Sequence, residues 1–413
     1  MRRVDFLRLA AGGAGAVVLP ANGKLFGRGG VKFGIDQLAD DKFAMLAGKR
    51  VGLVTNQSGV DWKGQKTRLV LHRAKGVKLV ALYAPEHGLD GIALAGKKVA
   101  SGRDSATGLP VHSLYGRTRK PTAEMLRGVD VLVFDMQDVG ARCYTYVSTM
   151  GLCMEAAGAA GKEFIVLDRP NPLGGERVEG PPLEPRWKSF VGQYPVPFVH
   201  GLTAGELARM ADAEGWLKSR VKLTVVPATG WKRSILWPDT GRKWVRTSPN
   251  IPDGLAPFFY IASGITGHLA GAEVGTGTSL PFQYVTGKGV EPEGFARRLN
   301  SLGIRGVNFS PYLSEKKAGF GGARMKLDLG KVGDLAALDV RLMAELHAAL
   351  KARGGSVFAG SSKSELDVFY KVYGSDRIRR EIEDGKPVEE IAAAWAGGIR
   401  RFRARRQKYL LYR

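Results

Sequence analysis

The chain has 413 residues, 44% hydrophobic and 24% charged, which is enough to bury a core and excludes wholesale disorder. Lys and Arg number 62 against 39 Asp and Glu, so the net charge is +23 and an anionic substrate or partner is expected. Two cysteines exclude a disulfide scaffold and a Cys-rich zinc module. Residues 1–30 open with Arg2, Arg3 and Arg8 and continue through a weakly apolar Ala/Gly/Val stretch. That stretch is too short to span a bilayer and reads as an export signal with its linker, of Sec or twin-arginine type, which predicts a periplasmic or extracellular protein. From there the pattern alternates. Strands are predicted at 50–54 (RVGLV), 77–83 (VKLVALY), 129–134 (VDVLVF) and 164–167, with helices at 67–74, 121–127 and 146–160 between them. Continuous apolar strands separated by helices predict a parallel sheet covered on both faces. Residues 170–200 are rich in Pro and Gly and read as a long loop. A helix follows at 203–213, with Thr203 as N-cap and Glu206 three residues on, and then a strand at 221–226.

The pattern changes near residue 255. A helix is expected at 258–269, a mixed Gly-rich stretch at 270–335, and helices at 338–352, 376–384 and 388–406. The expected fold class is α/β. A Rossmann-like parallel-sheet domain over 31–255 lacks a dinucleotide motif, and a smaller mixed α+β C-terminal domain over 256–413 completes a cleft. The basic run Arg400, Arg401, Arg403, Arg405, Arg406 and Lys408 reads first as a solvated helix face.

The first four strands each run into polar residues: Asn56 after the first, Glu86 and His87 after the second, Asp135, Gln137, Asp138 and Arg142 after the third, Asp168, Arg169 and Asn171 after the fourth. Strand carboxyl ends lie along one edge of an open parallel sheet, where ligands bind, so these side chains are expected to converge. The loop after the first strand, Thr55-Asn56-Gln57-Ser58-Gly59, lacks the glycines of a dinucleotide fingerprint, and neither a P-loop nor a G-x-S-x-G elbow occurs. The six histidines show no metal-binding spacing, so no metal and no cofactor are expected. Paired carboxylates remain, and they suit glycoside hydrolysis. A carboxyl partly buried at the position of Glu86 would suit the acid role, since burial favours the protonated form. Asp135, Asp138 and Asp168 are possible second carboxylates, each equally able to brace a loop or cap a helix. Arg142 and Arg169 could clamp a substrate carboxylate, or pair internally with Asp138 or Asp168.

The strings VGLVTNQSGVD (51–61), LYAPEHGLDG (82–91), TGLPVHSLYG (107–116), VDVLVFDMQDVGARCYTYVSTM (129–150), VLDRPNPLGGERVEGPPL (166–183), SFVGQYPVPFVHGLTAGELA (189–208) and SPNIP (248–252) closely resemble the NamZ family, exo-β-N-acetylmuramidases of glycoside hydrolase family 171. The resemblance implies release of N-acetylmuramic acid from the non-reducing end of peptidoglycan fragments, by a Rossmann-like domain without a nucleotide cofactor and a smaller C-terminal domain. It implies Glu86 as catalytic residue; the second catalytic group is unassigned, with Asp135 and Asp138 leading. It also implies a cleft lined by Asn56, His87, Gln137, Arg142, Tyr144, Asp168, Arg169, Asn171 and Asn250. One departure is Thr276, in VGTGTSLPF (274–282), where the family usually carries Arg; the exchange is expected to bear on substrate choice. The partners expected are muropeptides, not nucleic acid, and no stable membrane span. A non-catalytic peptidoglycan-binding protein on the same fold is the alternative. Nucleic-acid binding has only the net charge behind it and no aromatic-basic module.

Overall fold

The computed structural model describes residues 30–413, so the expected export signal lies outside the described residues. Among the described residues ten strands form two sheets: β1 Arg50–Thr55, β2 Lys78–Ala84, β3 Gly102–Arg103, β4 Pro110–Ser113, β5 Val131–Asp135, β6 Glu163–Leu167, β7 Lys222–Val226, β8 Tyr284–Lys288, β9 Val307–Leu313 and β10 Phe320–Leu327. The same residues hold eleven α-helices: α1 Gly34–Asp40, α2 Thr67–Arg73, α3 Thr145–Ala159, α4 Ala204–Ala213, α5 Ala256–Ser263, α6 Pro292–Ser301, α7 Leu335–Lys351, α8 Lys363–Tyr373, α9 Arg377–Glu383, α10 Val388–Ala393 and α11 Ala396–Arg406. The large sheet runs β3-β4-β2-β1-β5-β6-β7, parallel throughout except for β3 at its edge. The fold is α/β, with a second, three-stranded antiparallel sheet in the order β8-β10-β9.

Each central strand is buried on both faces, which is why its sequence is continuously apolar rather than alternating. One face carries Leu53, Val131, Val133 and Leu167 against α1 and α2. The other carries Val54, Phe134 and Val166, which join Met150 of α3, Phe258 of α5 and Leu342 of α7 in one continuous core. Packing is thus continuous across residue 255, which immediately precedes α5.

The predicted helix at 121–127 is absent. Residues 122–128 form successive turns instead, with Leu126 N–H donating to Thr122 O, Arg127 N–H to Glu124 O, and Gly128 in the left-handed region. The segment has to swing directly into β5, and the Tyr83 hydroxyl pins it by donating to Met125 O, so too little chain remains for a helix. Local patterning does not resolve α1, β3, β4 or α8, nor α6 and β8–β10 within the stretch 270–335. Of these α1, β3 and β4 are short, and β4 begins on Pro110, a residue confined to edge positions or strand starts. At the last stretch the single expected helix is two, α10 and α11.

Candidate active site

The sheet order places β1 at the centre, and the chain passes from it to β2 on one side and later to β5 on the other. A crevice opens beyond the carboxyl ends of strands at such a reversal. Here it is a cavity of about 580 Å³ between the large sheet and the C-terminal part, with Glu86 and His87 from the β2 end in its wall.

Glu86 is 7% exposed, and both its oxygens accept hydrogen bonds: Oε1 from the Gly96 N–H at 2.8 Å, Oε2 from the Thr145 hydroxyl at 2.7 Å. Thr145 is the first residue of α3, so the carboxylate sits at the positive end of a 15-residue helix. The turn that delivers Glu86 is tight. His87 has φ of 70° and Gly88 φ of 80°, and the His87 Nδ1 lies 2.6 Å from Ala93 O. A non-Gly residue held in the left-handed region is backbone strain of the kind that functional sites carry. The Tyr115 hydroxyl interacts with both Glu86 and the Arg119 guanidinium; burial and Glu86 push the phenol up, and Arg119 pulls it down.

Much of the remaining wall is aromatic. Tyr260 meets Tyr144 and Phe282 edge-on, with ring centroids 6.4 and 5.0 Å apart, and the Tyr144 hydroxyl donates to Thr247 Oγ1. His268 also faces the cavity, and burial lowers its pKa to about 4, so it is neutral at physiological pH. Asn250 lies in the wall and accepts from Gly277 N–H at 2.8 Å, which ties it to the loop bearing Thr276. Thr276 lines the cavity as well, and the Lys316 ammonium donates to its carbonyl.

Of the residues singled out from sequence, Glu86, His87, Tyr144 and Asn250 therefore share the cavity wall. The others pack around it. Asp135 is fully buried and pairs with Arg169, whose Nε and Nη2 donate to it at 2.5 and 3.0 Å, while the Thr67 hydroxyl also donates. The reason is strand alternation: Asp135 follows Val131 and Val133 onto the α1/α2 face, and the cavity lies beyond the other face. Arg169 is thereby committed to Asp135, to Val60 O and to the face of Phe33, and clamps no ligand.

Asp138 is also buried and outside the cavity wall. It accepts from Gly140 N–H at 2.7 Å, its Oδ1 has no partner, and burial raises its pKa to about 7. Asp168 accepts from Thr203, Gly205 and Tyr412, and burial raises it to about 6. Arg142 pairs with no carboxylate. Its guanidinium donates to four carbonyls, those of Pro181, Val196, Val372 and Tyr373, and so holds the end of α8 against the cavity. Asn56 accepts from Ser58, Gln137 donates to Asp138 O and Pro170 O, and Asn171 donates to Leu202 O; all three brace loops.

Sequence reasoning did not single out Tyr115, Arg119, Thr145, Tyr260, His268 or Lys371, all in the wall. Tyr115 and Thr145 lie in quoted strings and follow or begin elements at the same sheet edge. Lys371 sits on α8, and nothing in its local sequence places it near β2. Among the described residues no group of three or more His, Cys, Asp or Glu side chains is arranged to hold a metal, and no helix is long and apolar enough to cross a membrane.

Two family models match the chain: "Exo-beta-N-acetylmuramidase NamZ, N-terminal" over residues 51–254, and its C-terminal counterpart over 258–412. The peptidoglycan β-N-acetylmuramidase NamZ of Bacillus subtilis is 39% identical over 396 residues, covering 92% of this chain and 91% of that protein. A DUF1343 family protein of Bacteroides fragilis, known from a crystal structure, is 43% identical with a TM-score of 0.86, over 93% of this chain and 99% of the other. A second from the same organism is 28% identical with a TM-score of 0.70 over the same shares. Both parts of the fold and nearly the whole length are shared, and the chain belongs to the NamZ family of exo-β-N-acetylmuramidases.

Proposed function

We propose that the protein is an exo-acting glycoside hydrolase that removes N-acetylmuramic acid from the non-reducing end of peptidoglycan fragments, with Glu86 as the proton donor to the departing sugar oxygen. The observation that carries this reading is the carboxyl of Glu86, the only carboxylate among the described residues of the cavity wall. It is held at both oxygens by Thr145 and Gly96. The Thr145 hydroxyl can turn from donor to acceptor, so it fits Glu86 in either protonation state. The aromatic wall of Tyr144, Tyr260 and Phe282 offers apolar faces for a sugar ring in a half-open pocket. Asp135 and Asp138 lie behind the wall. The partner at the anomeric carbon is then water or the substrate's own acetamido oxygen.

The Glu86→Gln variant keeps the shape of the side chain and removes the transferable proton. It is expected to fold normally, with an unchanged circular dichroism spectrum, and to lose release of 4-nitrophenol from 4-nitrophenyl β-N-acetylmuramic acid by at least about 100-fold. Activity within tenfold of wild type would refute the role. A wild-type protein that is retained on insoluble peptidoglycan but releases no sugar would be a binding protein instead.

A further inference from the structure

Arg119 stands on the rim of the cavity over two adjacent rings, its guanidinium carbon 4.4 Å from the Phe190 centroid and 5.2 Å from that of Tyr115. The two rings are themselves 5.9 Å apart and tilted by 42°, so the guanidinium rests against both from one side while Arg119 stays exposed at the mouth of the cavity. No carboxylate among the described residues forms an ion pair with Arg119. The other permanent cation of the wall, Lys371, is paired with Asp367 on its own helix at 2.5 Å. His268, lying deeper, is neutral. A guanidinium that is charged, oriented and unneutralised, beside a ligand cavity, is arranged for a bidentate carboxylate or a similar planar anion. Tyr115 connects it to Glu86, since the same phenol interacts with both.

We infer that Arg119 is the specificity-determining anion receptor of the site and takes the lactyl carboxylate of the terminal sugar. This rests on the hydrolase reading above for the identity of the sugar. The lactyl ether leaves the sugar two carbons from the anomeric centre. A carboxylate there lies within one ring's width of the bond that Glu86 serves. The geometry makes Arg119 a reader of charge rather than a participant in bond cleavage.

Binding isolates this from catalysis. Calorimetric titration of the full-length protein with N-acetylmuramic acid, and with the methyl ester of its lactyl group, compares ligands that differ only in that charge. Wild type is expected to prefer the acid about 10- to 100-fold, as a lost charged hydrogen bond implies. Arg119→Gln is expected to bring the two affinities within about threefold, and Arg119→Lys to restore part of the preference. Wild type binding both ligands equally, or neither, overturns the inference. So does a preference that survives in Arg119→Gln and disappears in Lys371→Gln. Release of 4-nitrophenol by wild type is scored separately: its absence sinks the hydrolase reading, while the charge preference still reports on Arg119.

Discussion

At the scale of single residues, carboxyl groups with similar surroundings in the sequence have different surroundings in space. Glu86 keeps two hydrogen-bond donors and a cavity in front of it. Asp135 is neutralised by Arg169. Asp138 has one donor and an orphan oxygen, and burial raises it to about 7. An unfolded Asp titrates near 3.9, so between that pH and about 7 the native state binds more protons than the unfolded chain, and stability falls as pH rises through this window. The loss is at most about 4 kcal/mol for a shift of this size. Asp138→Asn removes the charge that must be buried. Its urea midpoint is expected to differ less between pH 5 and pH 8 than that of wild type. Asp168 and Asp339, raised to about 6 and about 7, keep their contribution in both proteins, so the comparison isolates Asp138. The variant is also expected to release sugar at a rate within tenfold of wild type. A loss as deep as that of Glu86→Gln would return Asp138 to the chemistry.

At the scale of elements, the ends of helices do more for the site than their middles. The N-terminus of α3 presents Thr145 to Glu86, and the end of α8 is fastened beside the cavity by Arg142. The start of α4 is the most fully determined. Thr203 Oγ1 accepts from Glu206 N–H, Glu206 Oε2 accepts from Thr203 N–H, and the same Thr203 hydroxyl donates to the buried Asp168. Thr203→Ala removes a cap and leaves a buried carboxyl one donor short. The expected cost is about 2–3 kcal/mol, read as a fall of several degrees in Tm, with kcat/KM at 25 °C unchanged because the box lies away from the cavity. A Tm within a degree of wild type would show that the helix start is held by packing alone.

At the scale of the molecule, the last residues return to the large sheet and close it. Leu411 N–H donates to Glu206, Tyr412 donates to Asp168 and accepts from Ala228 N–H, and its ring meets Trp231 edge-on with centroids 5.0 Å apart. Arg406 donates to the carbonyls of His200 and Gly201 from α11. Part of the basic C-terminal run is therefore structural: Arg406 is buried and Arg405 pairs with Glu214. Removing residues 407–413 exposes Trp231 and strips partners from four buried residues, Asp168, Glu206, Ala228 and Arg233. We expect a loss of at least about 3 kcal/mol, seen as a lower urea midpoint or recovery only as aggregate, and a smaller loss of about 1–3 kcal/mol for Tyr412→Phe. An unchanged midpoint in the truncated chain would show that the strap is dispensable.

Local patterning was enough to read the α/β class, the core strands β1, β2, β5, β6 and β7, and the Thr203 cap, because each depends on residues adjacent in sequence. The position of Glu86 at a strand's carboxyl end was legible for the same reason. Which polar residues beyond those strands face the cavity was not legible. Asp135 and Asp138 are three residues apart, and both carry the chemistry that a glycosidase would need. Asp135 is turned away by strand alternation and held by Arg169 from the loop after β6, while Asp138, past the strand end, is buried in its own turn against Gly140. Arg119, Tyr260, His268 and Lys371 come from segments with no shared local signal, brought together only when the C-terminal part packs on the open edge of the sheet. Burial, charge pairing and the cavity itself are properties of groups distant in the chain, so only the tertiary structure could assign them.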